Sequence, residues 1–153
     1  DADPVILGYL TATLTIAQTV ANMGMGWMGD RVGHRAMLIL GAAAALLSSL
    51  LAWFAQSLAW FFPVFVLTAL ANVSIWTNGL TMSTTFSSET ERPFYIGLSQ
   101  TLTAPATMIA PILGGWIADT RGFSSTFALS AVLSALMMGI LFFLVRDPHK
   151  QQT

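Results

Sequence analysis

The sequence predicts an all-α membrane protein of five transmembrane helices, and three observations carry that expectation. Of its 153 residues 55% are hydrophobic and only 8% are charged, where soluble domains usually carry about 25% charge. Mean hydropathy is +0.70. A membrane helix needs about 20 mostly apolar residues, and five runs reach that length, over 5–28, 36–55, 58–84, 93–118 and 124–145, ahead of a polar tail at 146–153. One unit is the natural count for this length. The net charge of −1 gives no bulk attraction to nucleic acid or anionic lipid. Cysteine is absent, which excludes disulfides and thiolate metal sites. The start, Asp1-Ala2-Asp3-Pro4, is acidic and lacks Met, unlike a signal peptide. The chain is expected to be a piece of a longer protein.

Short connections make neighbouring spans antiparallel, and Lys and Arg in the loops set the orientation. Arg31, Arg35, Arg92, Arg146 and Lys150 fall on one side and Arg121 on the other. The first side is expected to be cytoplasmic. The N-terminal end of the chain is then external and its C-terminus internal.

The first span carries Gly8, Thr11, Thr15, Gln18, Asn22 and Gly26 at helical spacing, so they share a face. Lipid cannot satisfy an amide, so this face should meet protein or water. Small polar residues also glue membrane helices together, which suffices for the threonines and glycines. Gln18 and Asn22 are read as cavity wall. The second span, rich in Ala and Leu, offers nothing to a polar ligand. Its Gly41, Ala45 and Ser49 form a seam for close packing, and it is expected to be a peripheral support.

The third span opens with Trp60, Phe61 and Phe62, which fit the aromatic belt of a bilayer interface. Pro63 falls in the first turns, where its missing N–H costs little. Deeper in, Ala69, Asn72, Trp76, Gly79 and Ser83 share a face and Asn78 lies off it. An amide and an indole one turn apart make a ligand surface, although a Trp can equally pack against lipid or a neighbour. Thr90 or Glu91 can cap the fourth span, and Pro93 suits its first position. That span carries Gly97, Gln100, Thr103, Thr107, Ala110 or Pro111, and Gly114 along one face. Pro105 and Pro111 should bend or loosen it. The fifth span holds Ser130 and Ser134 but no amide or charge, and is read as a second support.

Between the first two spans lies Gly26-Trp27-Met28-Gly29-Asp30-Arg31-Val32-Gly33-His34-Arg35. Its glycines permit sharp turning and close approach. An ordinary polar turn explains one or two basic residues but not the spacing G-x-x-x-D-R-x-G-x-R, which resembles the signature loop of the major facilitator superfamily of secondary transporters. His34 departs from the usual basic residue, which leaves one charge of the motif dependent on pH. Ala110-Pro111-Ile112-Leu113-Gly114-Gly115 is similar to the proline–glycine signature of pore-facing helices there, a weak signal by itself. The resemblance implies that the five spans correspond to helices eight to twelve, most of the C-terminal six-helix half, in a bacterial inner (plasma) membrane. It further implies a gating loop of Gly26, Gly29, Asp30, Arg31, Gly33, Arg35 and Arg92. Asp30 would accept from N–H groups near Pro93 or pair with Arg92. Arg31 and Arg35 would meet acidic or carbonyl groups of the opposite bundle. The partners implied are a small-molecule substrate, the bilayer and the remaining N-terminal helices, with no nucleic acid and no cofactor.

Gly115-Trp116-Ile117-Ala118-Asp119-Thr120-Arg121-Gly122 aligns under Gly26 to Gly33, with Gly, Trp, Asp and the closing Gly coinciding. The two stretches fall on opposite membrane faces, which suggests inverted three-helix repeats. The spans contain no Asp, Glu, Lys, Arg or His. There is no metal cluster, nucleophile–base pair or phosphate loop, so the chain is not read as an enzyme. Gln18, Asn22, Asn72, Trp76 and Gln100 are the candidates for hydrogen bonding and stacking with a solute. The alternative reading is a non-transporting membrane scaffold or assembly subunit that uses its small-residue seams to hold partners.

Overall fold

A computed structural model describes residues 3–85 and 90–143, apart from the side chains at 30, 32, 34 and 78–85. The expected tail contributions of Arg146 and Lys150 lie outside the described residues. So do the side chains of Asp30, His34, Asn78 and Ser83. The described chain is helical apart from its short connections. It runs α1 (Pro4–Val32), α2 (His34–Phe54), a 3-10 turn (Leu58–Trp60), α3 (Phe61–Thr85), α4 (Arg92–Arg121) and α5 (Phe123–Phe143). Among the described residues, five helices are long and apolar enough to cross a membrane.

Local chemistry sets the ends. Asp3 caps α1 by accepting from the Val5 N–H at 3.0 Å, and Pro4 follows, where its missing N–H costs nothing. Gly33 ends α1 with φ 92°, a region L side chains rarely adopt. At α4, Glu91 takes the cap position but makes no side-chain capping bond, so the expected carboxylate cap is not formed. Pro93 sits in the first turn as expected. Pro105 and Pro111 lie inside a helix that continues for 30 residues.

The second helix corrects an expectation. Read as peripheral, α2 is the central helix of this piece, packed between α3 and α5 and also touching α1. Met37, Leu38, Ala42, Ala44 and Ala52 are buried. Its small residues let two neighbours approach at once. A Cβ on Gly41 would stand 2.6 Å from the Ser74 Cβ, and the Ser74 hydroxyl donates to the Met37 carbonyl. Farther along, Ser48 Oγ donates to the Val64 carbonyl at 3.1 Å and meets Thr68 Oγ1 at 2.8 Å. The serine that bonds across is therefore Ser48. Ser49, expected in the seam, donates to its own Ala45 carbonyl.

On its other flank α3 meets α1 through Ala21, Met25, Val73 and Leu70. The helix α4 packs chiefly on α5 and buries none of its residues. Arg35, at the start of α2, reaches the last turn of α5, with Nη2 2.8 Å from the Phe142 carbonyl. The end with the α1–α2 turn therefore also holds the end of α5, and Gly122 stands at the opposite end.

The helix boundaries repeat along the chain. The shift of 89 residues that carries Gly33 onto Gly122 carries Pro4 onto Pro93 and α2 onto α5 end for end. It also carries buried Ala42 onto buried Ala131.

Candidate functional site

The five candidate side chains lie on three helices. Gln18 is half-buried and Asn22 exposed on α1, Asn72 and Trp76 are exposed on α3, and Gln100 is exposed on α4. The α1 and α3 candidates sit on helices that pack together, whereas α3 touches α4 only lightly. On α3, Val73 faces α1 and Thr68 faces α2. At 100° per residue, Asn72 and Trp76 occupy the sector between those two contacts.

Val73 packs against Ala21 and Met25, so Asn72, one residue before it, comes level with Asn22 on α1, and Trp76 lies about one helical turn from that level.

The threonine hydroxyls of α1 and α4, and one N–H of Asn22, bond to their own helices. Thr11, Thr15 and Thr19 donate to the carbonyls of Leu7, Thr11 and Thr15 at 2.9–3.0 Å. Asn22 Nδ2 donates to the Gln18 carbonyl at 2.9 Å. On α4, Thr101 and Thr103 donate to the carbonyls of Gly97 and Ser99 at 2.8 and 2.9 Å, and Thr107 to that of Ala104 at 2.9 Å. Back-bonding of this kind lets a helix carry hydroxyls at bilayer depth. It leaves their oxygen lone pairs as the outward-facing capacity.

The α1–α2 turn holds its cations on this chain's own groups. Arg31 lies over the Trp27 ring, 4.0 Å from its centroid, a cation–π pair one helical turn apart. Arg35 donates to the Phe142 carbonyl and, at 3.5 Å, to that of Leu141. Both acceptors are backbone carbonyls of α5. The α5 contact of Arg35 has no sign in the sequence. Of the glycines, Gly33 meets a real conformational need, while Gly26 stands in open space. Arg92 is exposed at the start of α4. The expected contacts of Asp30 rest on a side chain outside the described residues. Among the described residues no three His, Asp or Glu groups come together as a metal site.

Among the described residues, five helices long and apolar enough to span a bilayer, with like glycine turns at Gly33 and Gly122, define a polytopic membrane protein. The profile of the Major Facilitator Superfamily matches residues 1–153, and the chain belongs to that family. It is 26% identical over 133 residues to the MFS-type transporter ppzB of Metarhizium majus, covering 87% of this chain and 29% of that protein. It is 27% identical over 148 residues to the vesicular acetylcholine transporter of Torpedo marmorata, covering 96% and 29%. With the methyl viologen resistance protein SmvA of Salmonella typhimurium it shares 27% over 117 residues, covering 76% and 24%. The chain thus spans about three tenths or less of the length of these relatives. No solved structure matches it.

Proposed function

We propose that the chain is part of a secondary active transporter that moves a small solute across the membrane by alternating access, in which two bundles rock about a central site. The observation that carries this reading is the inverted repeat closed by Gly33 and Gly122, in a chain whose family and relatives are those of transporters. The solute face comes from α1, α3 and α4, with Gln18, Asn22, Asn72, Trp76 and Gln100 as its polar and aromatic groups. The helices α2 and α5 brace it, joined through Arg35. The piece corresponds to helices eight to twelve of the carrier, and the remaining N-terminal helices supply the opposite wall. Its Arg31 end is cytoplasmic, by the distribution of basic loop residues. The membrane is the bacterial inner one, although the relatives include vesicular transporters of animals.

The test is solute counterflow with the intact carrier in proteoliposomes. Preloading with unlabelled solute should accelerate uptake of the labelled form, because a loaded carrier reorients in both directions. A panel of sugars, amino acids, organic anions and organic cations that shows no saturable flux would favour the scaffold reading.

A further inference from the structure

We infer that the cleft between α4 and α5 seats one further transmembrane helix, the segment of the intact protein that directly precedes Asp1; this rests on the reading of the chain as part of a larger carrier. The template lies within the chain, where α3 covers the junction of α1 and α2. Its Val73 packs on Ala21 and Met25 of α1. Its Ser74 hydroxyl donates to the Met37 carbonyl of α2, and the Ser74 Cβ lies where Gly41 leaves room. Its Thr68 meets Ser48, and Ala44 shares the face of Gly41 and Ser48. Ala21, Met25, Met37, Gly41, Ala44 and Ser48 are all buried.

The shift that carries Gly33 onto Gly122 carries these positions onto Ala110, Gly114, Thr126, Ser130, Leu133 and Met137, and not one of them is buried. They still belong to one cleft. Thr126 Oγ1 donates to the Gly114 carbonyl at 3.4 Å, and a Cβ on Gly114 would stand 3.9 Å from the Thr126 Cγ2. Leu133, about two turns farther along α5, is 57% exposed. Ala110, Gly114 and Ser130 give lipid chains little area to cover but let another backbone come close.

Chain order selects the occupant. The helix α3 hands the chain to α4, whose Pro93 is the counterpart of Pro4 in α1. A helix placed on α4 and α5 as α3 is placed on α1 and α2 therefore hands the chain to α1, and runs in the opposite sense to α3. By the same shift it occupies about 5–30 residues upstream of Asp1. The match takes up only 29% of the ppzB and Torpedo marmorata sequences, so proteins of this family have the chain to supply it. A tethered helix also outcompetes a second copy, since its effective concentration is on the order of millimolar. The cleft sets the chemistry of that helix as well. Ser130 stands in the place of Gly41, so Gly or Ala should face it where α3 has Ser74. Met137 stands in the place of Ser48, so an apolar side chain should face it where α3 has Thr68.

The test is disulfide trapping in the intact protein, cleared of other cysteines, in membrane vesicles. Leu133→Cys is paired in turn with single cysteines through the upstream segment, and a protease site before Asp1 separates the two parts. After mild oxidation the parts should stay joined on non-reducing gels at positions recurring about every 3.6 residues, some 15–25 residues (about four to seven turns' reach of the template) before Asp1. Ala110→Cys gives a second probe from α4 and should trap the same face, whereas Ala135→Cys, on the far side of α5, should trap none. No trapping from either Leu133→Cys or Ala110→Cys, equal trapping from Ala135→Cys, or a product of dimer mass in place of joined parts would overturn the inference. So would a gene with no apolar run of about 20 residues before Asp1. Counterflow is read separately. Flux without trapping removes the docked helix and leaves the carrier reading, whereas trapping without flux of any solute removes the carrier reading and keeps the docked helix.

Discussion

The Gly33 N–H donates to the Gly29 carbonyl at 3.0 Å, and 89 residues later the Gly122 N–H donates to the Ala118 carbonyl at the same distance. Both glycines hold φ near 90°, at 92° and 83°, with extended ψ. Each ends a long helix and starts one of 21 residues. The same joint is thus made at both ends of the bundle, where it sets the entry angle of α2 and of α5.

That equivalence predicts equal sensitivity. Gly33→Ala and Gly122→Ala place a side chain in a region that only glycine occupies freely, at a cost of about 1–3 kcal/mol each. Thermal melts of the intact protein in detergent should show similar losses for the two. A loss at Gly33 with none at Gly122 would mean that the second turn is not a copy of the first.

The α2–α3 crossing predicts a size-dependent defect. A Cβ on Gly41 meets the Ser74 Cβ at 2.6 Å, and both groups belong to helix interiors that cannot shift freely. Gly41→Ala should destabilise by about 1–3 kcal/mol through overpacking. Adding Ser74→Gly removes the opposing atom and should recover part of that loss. Additive losses in the double variant would contradict the contact.

Ser48 and Thr68 predict a measurable coupling. Hydrogen bonds between membrane helices average about 0.6 kcal/mol and reach about 1.7 in double-mutant cycles. The cycle of Ser48→Ala and Thr68→Ala should return a value in that range, since each hydroxyl also reaches the Val64 carbonyl. A coupling of zero would assign the link to backbone packing alone.

Arg35 predicts a local effect. Its guanidinium donates to the Leu141 and Phe142 carbonyls of α5, and a hydrogen bond from a charged group is worth about 1.5–3 kcal/mol. Arg35→Ala should speed hydrogen exchange in the last turn of α5 while leaving the start of α5 unchanged. Arg35→Lys should retain the charge but not both hydrogen bonds, and fall between. Unchanged exchange in Arg35→Ala would show that packing alone holds that end.

Much of the fold was legible because bilayer depth constrains span length and charge placement so tightly. The five runs, the glycine turns and the repeat of Gly26-Trp27 in Gly115-Trp116 all follow from that. Less legible was which helix sits in the middle. The second span was read as peripheral because it lacks polar groups, yet in a membrane small residues, more than polarity, decide how closely helices pack. Ser48 and Ser49 are neighbours, and composition gave no means of choosing the one that crosses to α3. The target of Arg35 was hidden for another reason: a backbone carbonyl has no sequence signature.

The most direct measurement of alternating access exploits the absence of cysteine from this chain. Asn22→Cys or Gln100→Cys, in an intact protein cleared of other cysteines, can be exposed to a membrane-impermeant thiol reagent from either side. The expected result is labelling of the same position from both sides, with conditions that raise labelling from one side lowering it from the other. Labelling from one side only, unmoved by any solute or gradient, would contradict the carrier.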